Sequence, residues 1–481
     1  MESEFTGIYP NSKRKRGDSE YFIAVMEGDA VLYVSGSDKE LFDGSEQSRA
    51  GTQYKLCPLT VENSKILRKL FDFTNPKSYK GYNITLGLGD RLGLASPGHI
   101  RAIRDLDVFP VLAQQSIREL TLTDRTYDDV LAAAVWAVFR EGYTKGYGAD
   151  GDHLKTHDEV KLALSCGYTM ITLDCSEHIR NDYTLSPQEV VDKEYTTLQP
   201  EVTTALEDRY LNKSYPIGGD ASIAFDEADF RRIVLVYLPA ISHATSVYNE
   251  LIKGAEVDFE VSIDETLSTT SPQAHYFVAN ELTARGVEIS SLAPRFIGEF
   301  QKGIDYIGDI SGFECDFLTH AKIAEVFGYR ISVHSGSDKF LIFPIVNRLT
   351  GGKFHLKTAG TSWLEAIRVI ARITPGLYRE MHSFALKNLS EAKKYYHITE
   401  NVADIVDIEN VSDTALEDYL EHVDARRVLH ITYGLILMAE YDDGTPLFRD
   451  RLYEALGKYE DEYFKVLEKH IGRHLNALGQ S

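Results

Sequence analysis

The side chains best suited to chemistry in this chain fall in or just behind short apolar runs. Asp152-His153 follows the run at 146–149, Glu260 sits inside 257–263, Gln301 comes soon after 292–297, and His334 directly follows 330–333. Carboxylates and imidazoles are the groups that move protons near neutral pH. Imidazoles and amide carbonyls also bind divalent cations, and such a mixed donor set suits Mn, Co, Ni or Zn better than Mg. His153, Gln301 and His334 do not form a local metal signature of the HExxH kind, so only the fold can bring them together. His355, Glu265 and Glu299 are further candidate ligands in comparable positions.

Glu260 is the most informative single residue. It interrupts an apolar run, and period-two alternation puts it on one face with Ser262 and Asp264. A carboxylate on a covered strand must find partners or change its pKa. It is either a structural Glu paired with a cation such as Lys357 or a proton-transferring Glu, and the second reading is preferred. Taken singly, the other residues have equally plain structural readings. A Ser, Asp or Thr behind a strand is also how a helix N-cap is written, as at Ser337-Asp338 or Thr361. Their convergence carries more weight, because acids gathered on one rim repel unless a cation or ligand separates them.

The elements that must position these residues alternate along the chain. Eight short runs, at 83–88, 109–113, 146–149, 169–173, 257–263, 292–297, 330–333 and 353–356, read as strands. Helical spacing follows most of them, as at 127–142, 227–253, 273–285 and 314–327. Eight such repeats predict an α/β fold, a (β/α)₈ TIM-like barrel over residues 81–375, with the chemistry at the C-terminal strand ends. Strands three and seven, behind which His153 and His334 stand, face each other across such a ring.

Residues 1–80 read as a small N-terminal α/β element that includes a hairpin at 20–36. Residues 376–481 read as a C-terminal helical segment. A long insertion around 176–256, with a helix start expected at Ser186, is either a lid over the mouth or a structural decoration. Lys13-Arg14-Lys15-Arg16 reads as a solvated, poorly ordered terminus rather than an anion-binding patch.

Composition narrows the partners. The chain has 481 residues, 43% of them hydrophobic, and a net charge of −22, which argues against nucleic acid. No stretch approaches the ~20 apolar residues of a membrane span, and no secretory signal is apparent. Four scattered cysteines without a CxxC pair suit a reducing compartment, so a cytoplasmic protein is expected. Gly87-Leu88-Gly89-Asp90 lacks the third glycine of a dinucleotide loop, and no phosphate-binding GxxxxGK[ST] occurs. The expected partner is a small molecule in a pocket, and self-association into a homo-oligomer is compatible with that.

Several ordered blocks carry a resemblance: GDRLGLASPGHIRA (89–102), PVLAQQSIRE (110–119), GYGADGDHLKT (146–156), RFIGEFQKGIDY (295–306), RISVHSGSDKF (330–340) and FHLKTAGTSWLEA (354–366). Together they resemble the tagaturonate epimerase family over most of residues 82–375. The resemblance implies a metal-dependent epimerase interconverting D-tagaturonate and D-fructuronate, with some relatives acting on tagatose and fructose. It implies Asp152 as proton acceptor, Glu260 as proton donor, and His153, Gln301 and His334 around a divalent cation. Substrate contacts are expected from Gln115, Arg118, Glu119, Arg295 and Lys339. Two departures stand out, Gly151 in place of an Ala and Asp174-Cys175-Ser176-Glu177-His178 in place of Asp-Pro-x-Asp-His; the second bears on substrate preference. The inverted carbon is β to the ketone, so its C–H is not acidified; retro-aldol cleavage and re-addition fits better than direct deprotonation. Alternatives are a tagatose/fructose 4-epimerase, another metal-dependent ketose isomerase or aldolase, and, ranked last, a non-catalytic sugar-binding protein.

Overall fold

The computed structural model describes residues 5–480, apart from 50, 359, 395, 397 and 399–403. Eight parallel strands close into a barrel: β1 (Ile84–Gly87), β2 (Phe109–Ser116), β3 (Gly148–Leu154), β4 (Met170–Asp174), β5 (Asp258–Ile263), β6 (Ser291–Pro294), β7 (Arg330–Val333) and β8 (Phe354–Lys357). Each pairs with its neighbour in chain order, and β8 closes onto β1. The expected α/β barrel is therefore the fold.

The strands form because each has one face for the helices and one for the lumen. Ile84 and Leu86, Ile171 and Leu173, Val261 and Ile263, Ile331 and Val333 all pack into the outer core. The alternate positions are polar and buried, with Thr85, Asp150, Thr172, Glu260, Ser291 and His355 meeting one another inside the ring. Below them Tyr79, Phe109, Val111 and Met170 form an apolar floor. Barrel interiors are commonly packed with branched aliphatics. A polar lumen has to be satisfied from within.

Two bulges reset which side chains face inward. Between β2 and β3 the pairing steps from Val111↔Gly148 to Ala113↔Ala149, an extra residue on β2. Between β3 and β4 it steps from Ile171↔Gly151 to Leu173↔Leu154, an extra residue on β3. Either step inverts the facing of every residue beyond it.

The N-terminal element is a six-stranded sheet with a helix, Val61–Leu70, and its core is continuous with that of the barrel. Its hairpin turns through Glu27 and Gly28, both at positive φ (55° and 100°), the geometry of a two-residue turn matched to strand twist. The basic run is not a loose terminus. Arg14–Arg16 is a strand paired antiparallel with Ser19–Tyr21, and Arg16 contacts Asp38 at 2.9 Å; ladder bonds and the ion pair order it.

The insertion packs on the outside of the barrel wall. Its helix Pro200–Tyr210 is tied to helix Pro272–Ala284 by Tyr210, whose hydroxyl donates to Glu281 at 2.8 Å. Ser186 does not cap a helix. Its hydroxyl donates to the Asp182 carbonyl, and the next helix begins behind Pro187.

The C-terminal helices pack on the helices beside β1 and β8. Trp363, fully buried, donates to the Leu429 carbonyl at 2.8 Å; truncating it to Ala should cost about 3–5 kcal/mol. Neutral histidines line this seam. His99 accepts or donates to Ser362 at 2.9 Å, and the Asp338 amide donates to His474. Burial pushes His99, His382 and His474 each down to about 4. The unfolded chain protonates them near 6.5 while the folded chain excludes the proton, so stability is lost as pH falls from about 6.5 towards 4. Thermal unfolding should show Tm falling across that window, with the fall shallower in His382→Gln; identical profiles would contradict this account.

Candidate active site

The C-terminal strand ends open into a cavity of about 250 Å³. Gln114, Ser116, Arg118 and Glu119 line it from β2 and the helix behind it, and Asp152 and His153 from β3. Asp264 and Glu265 come from behind β5, Phe300, Gln301 and Lys302 from behind β6, and His334, Ser335 and Ser337 from behind β7. Lys357 of β8 and Tyr396 complete the lining. Residues 176–256 do not line it. A larger cleft of about 810 Å³ lies between the N-terminal sheet and the C-terminal helices, away from these strand ends.

At the base of the cavity one ammonium serves three buried carboxylates. Lys357 Nζ lies 2.9 Å from Asp150 Oδ2, 2.6 Å from Asp152 Oδ1 and 3.1 Å from Glu260 Oε1, and it also donates to Thr172. Burial alone would lower the Lys357 pKa, but the three acids hold it well above its usual value. Burial pushes the Asp150 carboxyl up. Asp152, equally buried, is held low by Lys357 and the His153 and His334 imidazoles. Glu260 is likewise held well below its usual range, burial being outweighed by Lys357 and His334.

The two histidines stand above this base. His334 Nε2 is 2.7 Å from Glu260 Oε1, and its Nδ1 is 3.1 Å from Asp264 Oδ2. Burial opposes protonation of His334, yet Asp264 and Glu260 raise its pKa to about 10. His153 occupies the β3 bulge with φ 52°, which turns it into the cavity beside Asp152 instead of away from it. The two rings meet edge to face with centroids 5.0 Å apart.

These donors fit a divalent cation. His153, Asp174 and Glu265 offer ligand atoms within 4.8 Å of one another, and His153 Nδ1 is buried with no hydrogen-bond partner. The carboxylates of Glu260 and Asp264 that flank His334 favour positive charge there. A second trio, Asp338, His470 and His474, is also compact. There Arg426 already supplies the cation, 3.0 Å from Asp338 Oδ2, and His474 Nε2 accepts the Asp338 amide; that trio ties the last helix to the loop behind β7.

The expected residues distribute unevenly. Asp152, His153, Gln301, His334, Arg118 and Glu119 all line the cavity. The Gln301 side-chain amide donates to Glu299. Both Glu119 oxygens are engaged, one by the Arg91 guanidinium at 2.8 Å and the other by the Ser116 amide in a capping box. Glu260 is sealed below the lining, behind Lys357 and His334. His355 lies deeper still, bonded to Thr85 at 2.7 Å.

Three expected substrate contacts do not reach the cavity. Gln115 turns away and donates to the Asp90 carbonyl at 3.2 Å, because the β2 bulge presents Gln114 in its place. Neither polar atom of the Gln114 side chain has a partner, and it lies so close to Gly87 that a Cβ there would clash with it. Arg295 is exposed and donates to the Thr266 carbonyl. Lys339 is fully buried and donates to the carbonyls of Gln301 (2.9 Å), Ile304 and Ser337, pinning the loop that carries Gln301. Lys357, expected as a possible partner of Glu260, does pair with it and also serves Asp150 and Asp152, which the sequence did not indicate. Tyr396 left no sequence signal.

Replacing Lys357 with Met leaves three buried acids without their cation, a loss of about 3–5 kcal/mol. Protonating the acids relieves the repulsion. The drop in Tm relative to the unaltered protein should therefore be larger at pH 8 than at pH 5, and an equal drop at both would count against the shared-ammonium arrangement.

Comparison with known proteins agrees with this geometry. The family model described as tagaturonate epimerase matches residues 9–478. A tagaturonate/fructuronate epimerase of Thermotoga maritima is 40% identical over 476 residues, covering 98% of this chain and 96% of that protein. The crystal structure of a fructuronate-tagaturonate epimerase from Cohnella laeviribosi, in complex with one glycerol, superposes with a TM-score of 0.96 at 48% identity, covering 99% of this chain and 97% of that one. Its native form superposes equally well, with 98% and 96% covered. The chain belongs to the tagaturonate epimerase family.

Proposed function

We propose that this protein interconverts D-tagaturonate and D-fructuronate with the help of a divalent cation. The observation that carries the reading is Asp152, which lines the cavity beside His153 and His334 and shares the Lys357 ammonium with Glu260. Membership of a family whose named relatives are tagaturonate/fructuronate epimerases supports the substrate. His153 and His334 would hold the cation, with Asp264, Glu265, Asp174 and Gln301 at hand as oxygen donors; Mn, Co, Ni or Zn suits that set. Bound there, it would supply Lewis-acid polarisation of the ketone. No helix among the described residues is long and apolar enough to cross a membrane, and a sugar-acid isomerase working in the cytoplasm is consistent with that.

The chain's own groups account for the proton traffic. Asp152 takes the proton from the hydroxyl on the carbon to be inverted, and the bond between that carbon and its neighbour on the ketone side breaks. The resulting aldehyde turns to present its other face, and the same bond re-forms with inverted configuration. The new alkoxide then needs a proton at a different position. Lys357 lines the cavity and touches both Asp152 and Glu260, so its ammonium gives a proton to the alkoxide and recovers one from Asp152, while Glu260, expected as the proton donor, acts only behind it by keeping that ammonium charged. Glu260 also orients His334 by accepting from its Nε2, as carboxylates behind metal-binding imidazoles do.

The test is conversion of tagaturonate by protein stripped with a chelator and then reloaded with Mn, Co, Ni or Zn singly. Stripping should abolish fructuronate formation and at least one cation should restore it. Asp152→Asn should lower kcat by roughly 10²–10⁴-fold. Absence of fructuronate with every cation would end this reading.

A further inference from the structure

One part of the cavity differs in chemistry from the rest. Lys302, on the loop behind β6, lines it, and its ammonium is 3.1 Å from the Ser335 hydroxyl. Among the described residues no carboxylate lies within ion-pair distance of it, in a chain with 73 acidic and 51 basic residues. A partly buried ammonium met by a neutral hydroxyl is incomplete until an anion joins it.

Arg118 reaches the same cavity from the helix behind β2, its guanidinium held 4.7 Å from the centre of the Tyr396 ring. Glu119, the acid next in sequence, is turned onto Arg91 and the Ser116 amide. Arg91 in turn is fixed over the Tyr433 ring at 3.8 Å. Ser335 and Ser337 add hydroxyls that also line the cavity. The acids and imidazoles of β3, β5 and β7 thus face a corner built from two cations, hydroxyls and an aromatic ring.

We propose that Lys302 and Arg118 form the subsite that reads the carboxylate of the substrate, so that the site selects a hexuronate over the neutral ketohexose of the same carbon skeleton. The inference rests on the epimerase reading. In tagaturonate the ketone and the carboxylate lie two carbons from the inverted centre on opposite sides. A site that holds both must offer separate groups for each, and this cavity does. A neutral ketohexose would place a hydroxymethyl group against Lys302 and leave its charge unpaired, which is selection by an unmet charge as much as by attraction.

Calorimetric titration of the metal-loaded protein with galactonate and galactitol, six-carbon ligands with and without a carboxylate, tests this without relying on turnover. The unaltered protein should bind galactonate more tightly than galactitol. Lys302→Met should weaken galactonate by about 100-fold and galactitol by far less, while Lys302→Arg restores most of the preference. Arg118→Gln, read in the same way, serves if Lys302→Met does not fold. Equal weakening of both ligands, or no preference in the unaltered protein, overturns the carboxylate subsite. Failure of the epimerase reading shows separately, as an unaltered protein that binds galactonate through Lys302 yet forms no fructuronate.

Discussion

The Lys357 ammonium, shared among Asp150, Asp152 and Glu260, is the contact on which the lumen of this barrel depends. Three carboxylates that close cannot all be ionised in a buried space without a cation, and Lys357 reaches each of them within 3.1 Å. Because the acids occupy fixed strand positions around the ammonium, the arrangement also orders the acids. Asp150 is the one pushed towards its neutral form, while Asp152 and Glu260 stay ionised. The same pairing that permits a polar lumen therefore leaves an ionised carboxylate, Asp152, at the cavity and another, Glu260, on His334.

Around this centre the rest of the molecule acts mainly to hold loops. Lys339 spends its buried ammonium on three backbone carbonyls of the loops behind β6 and β7, including that of Gln301. Arg426, from the C-terminal helices, donates to the Gly303 carbonyl and pairs with Asp338. Asp338 is also joined to His470 of the last helix at 2.8 Å. The C-terminal segment is thus a buttress for the side of the mouth that carries Gln301 and Lys302, and through Tyr396 it supplies part of the wall. Precise placement of site residues requires such support, since loops left to themselves sample many conformations.

Of the two departures from the family pattern, Gly151 faces outward, where an added Cβ would press on Leu154 and Ala163 and not on the cavity. The Cys175–His178 departure lies outside the cavity lining, where His178 stacks on His243 with centroids 3.9 Å apart. Neither departure therefore bears on the proposed carboxylate subsite at Lys302 and Arg118.

The barrel was legible in the residues alone, because alternation of short apolar runs with helical spacing is a local property that survives without knowledge of contacts. It also marked Asp152, His153, Gln301 and His334, since strand ends of a parallel barrel share one rim. Facing and partnership emerged only on folding. One extra residue in β2 exchanged Gln115 for Gln114, and one in β3 turned His153 inward beside Asp152; a bulge is a mismatch between two strands and leaves no mark in either alone. Lys339 and Arg295 looked like substrate cations until their carbonyl partners were seen. Glu260 was legible as a buried acid needing a partner, but its separation from the cavity depends on Lys357 and His334, which come from β8 and the end of β7 and close over it.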